Sequence, residues 1–146
     1  MILRDLRDGT IGALPPAALD LVVEEAVNDA ATLVVFEPGG VTGHPDHRTT
    51  TKAAQRVASD HGLAVLEWGV DPEVATQLNA ELGTTFVALE GEGVDELVVD
   101  RSTQHAAIAC HESQVGGYRV VVRRLGLEGD VQRVRLRRPP GADQAP

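Results

Sequence analysis

A single cysteine in 146 residues excludes an internal disulfide, and four aromatic residues are too few to build a base-stacking platform. Long apolar stretches are missing too. Runs such as Leu33 to Phe36 and Ala106 to Cys110 fall far short of the roughly 20 residues that cross a bilayer, so no membrane span is expected. Positive charge is scarce: 13 Lys and Arg against 22 acids leave a net charge of −9, which repels a phosphate backbone and argues against a nucleic-acid partner. After Met1 the chain reads Ile-Leu-Arg-Asp-Leu-Arg-Asp-Gly, charged where a signal peptide is apolar, so a reduced, cytoplasmic setting is the expectation. What is present is one domain's length with 42% apolar residues, enough to bury a core without staples.

The charge is uneven. Residues 1–118 carry 19 acids and 6 bases, whereas residues 119–146 carry 3 acids and 7 arginines. Arg133-Val134-Arg135-Leu136-Arg137 alternates as a strand with one solvated face does, which points to a charged edge strand. From residue 139 the chain turns to Pro-Pro-Gly-Ala-Asp-Gln-Ala-Pro-type composition, too poor in apolar surface to be ordered, so the domain is expected over 1–138 with a disordered tail over 139–146.

Between these limits helical and strand signals alternate. Leu19, Val22, Val23, Ala26 and Val27 mark one amphipathic helix after Pro15-Pro16, and Thr32 to Phe36 reads as a buried strand. A glycine-rich loop follows, then a helix from Pro45 to His61 stopped by Gly62. Leu63 to Trp68 is a strand, Asp71-Pro72-Glu73 opens a helix closed by Gly83, Thr84 to Leu89 and Glu96 to Asp100 read as strands, Ser102 to Val115 as a helix and Tyr118 to Arg123 as a strand. This alternation predicts an α/β sheet with helices on its faces and a ligand crevice at the carboxyl ends of its strands. The loop from Glu37 to His47 occupies that position.

Gly43-His44-Pro45-Asp46-His47 places three ionisable groups within four residues at the entry of a helix. Pro45 forces His44 into an extended conformation and suits the first helical position, so both imidazoles can face the crevice, and Asp46 gains from the helix dipole. Such a group could orient a histidine or lower the cost of a cation, but His-x-x-His with an aspartate also arises in ordinary helix caps. A catalytic zinc takes three protein ligands plus water, and this motif supplies two histidines at most. His61 lies roughly 21 Å further along the same helix, and His105 and His111 differ by about 240° around theirs, so at most one of that pair reaches the crevice. Cys110 reads as a small core residue, Trp68 as a core aromatic, and Asp8 as a turn residue with Gly9. Gly39-Gly40-Val41-Thr42-Gly43 lacks the lysine of a phosphate-binding P-loop.

The stretch Val34-Val35-Phe36-Glu37-Pro38-Gly39-Gly40-Val41-Thr42-Gly43-His44-Pro45-Asp46-His47-Arg48, supported by Asp8-Gly9-Thr10-Ile11 and by Ala106-Ala107-Ile108-Ala109-Cys110-His111-Glu112-Ser113-Gln114, resembles the PIG-L/LmbE-like family of zinc-dependent N-acetylglucosaminyl deacetylases. The resemblance implies a Rossmann-like sheet, a Zn2+ cofactor and a small-molecule sugar-conjugate substrate. It makes His47 a zinc ligand, His44 the catalytic histidine that stabilises the oxyanion or protonates the leaving amine, and Asp46 the carboxylate beside it. The family's opening His-Pro-Asp-Asp segment, which carries two further ligands and the general base, has no counterpart here. The expectation is therefore a truncated Rossmann-like domain with exposed sheet edges, open to oligomerisation, whose catalysis needs the absent half. Two other readings compete: a non-catalytic remnant that acts as a binding domain through that edge, and a plain α/β domain whose histidines cap a helix.

Overall fold

The computed structural model describes residues 6–110 and 119–139. A 3-10 turn (Ile11–Ala13) precedes helix α1 (Pro16–Val27), strand β1 (Thr32–Phe36), helix α2 (Pro45–His61), strand β2 (Ala64–Gly69) and helix α3 (Pro72–Leu82). Strand β3 (Val94–Val98), helix α4 (Ser102–Ala109), helix α5 (Arg119–Glu128) and strand β4 (Val131–Arg137) complete the order. The sheet is mixed, in the order β1-β2-β4-β3. β1 and β2 are parallel and joined through α2, as a parallel pair requires, whereas β4 runs antiparallel to both of its neighbours. Among the described residues no helix is long and apolar enough to cross a membrane.

Helix boundaries follow local chemistry. α2 begins because His44 is extended (φ −61°, ψ 127°) and Pro45 supplies a preset φ, and it ends where Gly62 turns left-handed at φ +65°. α3 starts on Asp71, whose Oδ1 accepts from the amides of Glu73 (2.8 Å) and Val74 (3.3 Å). Apolar side chains of β1 and β2 alternate between two faces. Val35 and Val65 pack with Ala54 and Ala58 of α2, while Phe36 and Trp68 pack on a cluster of Val41, Val70, Ala75, Leu78 and Phe86.

Five sequence expectations are corrected, the first at β1, where the strand expected to be buried has only Val35 buried. Thr84 to Leu89 is not a strand: it makes one parallel bridge, Val70 to Ala88, because its polar backbone is claimed elsewhere. The Asn79 side chain holds both the N–H and the C=O of Phe86, and the amides of Val87 and Leu89 donate to Val41 and Val70. The stretch expected as a strand to Arg123 is part of helix α5, with Tyr118 outside the described residues. Its β-branched Val120-Val121-Val122 run is overridden by packing, since Val120 and Leu127 join the Phe86 cluster and Arg123 pairs with Glu81 of α3 at 2.7 Å.

The arginine strand β4 is interior, not an edge. Its cations are paired: Arg135 (2.8 Å) and Arg137 (2.6 Å) bind the fully buried Glu67, and Arg133 binds Asp71 at 2.6 Å. Cys110 is exposed, and not a core residue. Of the expected helix from Ser102 to Val115, residues 102–109 are helical and 111–115 lie outside the described residues, as do 140–146 of the expected tail.

β1 is an edge strand. Ala31 accepts from Ala64 and the Glu37 amide donates to Trp68, so the backbone groups of Thr32 and Val34 point outward, while the Phe36 carbonyl accepts from the Thr51 hydroxyl at 3.4 Å. No residue of β1 is charged, and Val34 is 66% exposed.

Candidate functional site

The loop between β1 and α2, residues 37 to 44, stands at the carboxyl end of β1, where open α/β sheets bind ligands. It is held by one buried side chain. Glu37, 3% exposed, accepts the amide of Gly39 on one carboxylate oxygen and that of Val41 on the other. Room for this carboxylate comes from two glycines: a Cβ at Gly39 would lie 2.9 Å from Glu37 Oε2, and one at Gly69 would lie 3.1 Å from Glu37 Cγ. Val41 adopts φ +62°, a left-handed conformation that costs a β-branched residue on the order of 1–3 kcal/mol. It is kept there from three sides, by Glu37 on its N–H, by the Val87 amide on its C=O (2.7 Å) and by its buried side chain.

Gly40 lies between the two clamped amides at φ +80°. Its carbonyl accepts from the Thr42 amide (2.7 Å) and meets Nδ1 of His47 at 3.0 Å. A carbonyl can only accept, so Nδ1 of His47 carries the proton and the lone pair of the neutral ring is on Nε2, the arrangement of a metal-ligating histidine. His44 is the opposite tautomer: its Nδ1 accepts from the Asp46 amide at 3.2 Å, which puts the proton of the neutral ring on Nε2. The two rings are 5.0 Å apart between centroids, tilted by 40°, and both are partly exposed. Phe36 packs on His47 at 4.5 Å from below.

Asp46 is buried, and its carboxylate touches neither ring. Oδ2 accepts from Gly9 (2.7 Å) and Oδ1 from Gly12 (2.9 Å), tying the 3-10 turn to the start of α2. It orients His44 through its backbone amide, not through its oxygens. The expected pair, His44 and His47, is thus brought together, with Asp46 behind it. His61 is at the far end of α2, 4.0 Å from Glu24, His105 is exposed on α4, and His111 lies outside the described residues. Glu37 escaped sequence reading. Its one signal was an acid at the end of an apolar strand, two and four residues ahead of the amides of a glycine-rich loop.

For a zinc ion the donor set fits in part. His47 offers Nε2 in the required tautomer, but no group of three His, Cys, Asp or Glu that could hold a metal exists among the described residues. These residues fit one side of a coordination shell and do not complete it.

No family model and no curated protein matches the sequence. Solved structures share its fold. A deacetylase of the teicoplanin biosynthesis pathway, in a complex described as deacetylase-bog, superposes with a TM-score of 0.59 at 16% identity, covering 96% of this chain and 59% of its own. The zinc-inhibited form of a teicoplanin deacetylase gives 0.60 at 16% identity, with 97% and 58% covered. The A40926 pseudoaglycone deacetylase gives 0.54 at 16% identity, with 90% and 59% covered. The chain therefore spans under two thirds of the length of the structures it resembles. At this identity the likeness establishes the mixed α/β fold.

Proposed function

We propose that this chain carries the histidine loop of a zinc-dependent N-deacetylase that removes acetyl from a sugar conjugate of the N-acetylglucosaminyl type, and that the ligands completing the metal shell come from outside the described residues. The observation that carries this reading is the opposed hydrogen bonding of the two Nδ1 atoms in the β1–α2 loop, a carbonyl at His47 and an amide N–H at His44, which calls for opposite tautomers. One ring leaves a lone pair on Nε2 for a cation, while its neighbour at 5.0 Å keeps a proton on Nε2 to give. In amide hydrolysis that proton would offset charge developing on the carbonyl oxygen or pass to the departing amine. The Gly-His-Pro-Asp-His motif and the shared fold of three deacetylases support it.

The test is acetate release from an N-acetylglucosamine conjugate by the longest natural protein that contains this chain. Because zinc is the inhibiting ion in one structural neighbour, the metal is titrated from substoichiometric to excess. The expected result is turnover that peaks near one equivalent. His47→Ala should lose bound zinc and activity together, whereas His44→Ala should keep the zinc and lose turnover by about 100-fold or more. No acetate at any zinc level would overturn the deacetylase reading.

A second reading, an interaction domain, is favoured by one observation: β1 is an uncharged sheet edge with Val34 66% exposed. Concentration-dependent self-association abolished by Val34→Lys, together with no acetate release, would support that reading.

A further inference from the structure

We propose that Glu37 is a positioning residue for His47: its buried carboxylate clamps the amides on both sides of Gly40, which aims the Gly40 carbonyl at Nδ1 and leaves the lone pair on Nε2. The inference concerns the metal-free chain, and its bearing on catalysis rests on the deacetylase reading. Three features of the loop carry it. First, one oxygen of Glu37 accepts the Val41 N–H, which shares a peptide plane with the Gly40 carbonyl, and the other accepts the Gly39 N–H, so one rigid group holds the loop before and after Gly40. Second, the fold reserves the space, since a side chain at Gly39 would collide with the Glu37 carboxylate and one at Gly69 would crowd its Cγ at 3.1 Å. Third, Gly40 has no side chain to fix its φ of +80°: its amide donates to the Glu37 carbonyl (2.8 Å) and its own carbonyl accepts from Thr42 (2.7 Å), and to these the Glu37 carboxylate adds the hold on the Val41 N–H, which shares the plane of the carbonyl that meets His47 at 3.0 Å.

Turning the Gly40 carbonyl away would remove the acceptor that distinguishes the two ring nitrogens of His47, and the neutral imidazole would then populate both tautomers. Outer hydrogen bonds of this kind typically change metal affinity by about 10–100-fold. Glu37 is separated from the ring by the backbone it holds, so it acts through Gly40.

The experiment is long-range 1H–15N correlation on the metal-free chain labelled at histidine, recorded at a pH where the imidazoles are neutral. In the parent chain His47 should be the Nδ1–H tautomer and His44 the Nε2–H tautomer, each serving as the other's control. Glu37→Gln preserves volume but offers a donor to one of the two amides. It should convert His47 to a mixture while His44 keeps its tautomer and the far-ultraviolet spectrum keeps its shape. Glu37→Asp, one methylene too short to reach both amides, should act in the same direction. A folded Glu37→Gln or Glu37→Asp chain in which His47 remains fully Nδ1–H would overturn the proposal. If neither variant folds, Glu37 supports the whole fold and its specific role is likewise refuted. Because no metal and no substrate enter this measurement, failure of the deacetylase reading leaves its outcome intact. In a zinc-binding longer protein, Glu37→Gln should weaken zinc by about 10–100-fold as an added readout.

Discussion

Glu37 and Glu67 are both buried carboxylates at the sheet, yet they are neutralised in opposite ways. Glu37 bonds to backbone amides two and four residues further along its own loop. Glu67 bonds to Gln55, Arg135 and Arg137, which lie 12, 68 and 70 residues away. The first organises a turn of chain next to the histidines, and the second ties α2 and the two central strands together. A buried carboxylate held by amides serves local geometry, while one held by distant cations serves global assembly, because losing a partner unsettles only the elements that partner links.

The largest effect should come from Glu67→Ala. It strips the fully buried acceptor from Arg135, whose side chain is only 14% exposed, and should cost about 3–5 kcal/mol by denaturant unfolding. A loss under about 1 kcal/mol would break the contrast. Gly69→Ala probes the point where the two regions touch. Its Cβ would lie 2.6 Å from Leu89 Cβ and 3.1 Å from Glu37 Cγ, so overpacking should cost about 1–3 kcal/mol and also disturb the His47 tautomer.

Asp46→Asn should cost about 1 kcal/mol, since only one of its two acceptor sites survives, and faster amide exchange should be confined to Gly9, Gly12 and their neighbours. The smallest effect concerns Asp71. Burial raises its pKa, but the amides of Glu73 and Val74 and the Arg133 guanidinium outweigh this and hold it below 3.8. Its contribution to stability is therefore present above the ordinary carboxylate range and is lost as pH falls through the lowered value. Arg133→Met should move Asp71 back toward 3.8 by carbon-detected titration, so that the stability lost in acid becomes smaller and is complete at a higher pH.

Legibility followed the same division. The bounds of α2 were readable from Pro45 and Gly62, those of α3 from Asp71 and Gly83, and β1 from its apolar run, because each is set by chemistry within a few residues. The pairing of His44 with His47 was readable too, as three residues at a helix start leave little freedom. Unreadable were the interior place of β4 and the helical state of α5. The partners that decide them, Glu67, Glu81 and the Phe86 cluster, are remote in sequence. A stretch with arginines at alternate positions is equally consistent with a solvated edge and with a row of buried ion pairs until the acid opposite it is known.

By itself, then, the amino-acid order determined the α/β alternation, the helix punctuation and the convergence of two imidazoles at one junction, since each depends on near-neighbour sterics and hydrogen bonding. Only the tertiary structure decided which ring nitrogen of each histidine bears the proton, that Asp46 faces the Gly9–Gly12 turn, and that Arg135 and Arg137 of β4 meet the buried Glu67. Those outcomes depend on which groups meet once the chain has closed on itself, because a buried polar atom left without a partner is costly.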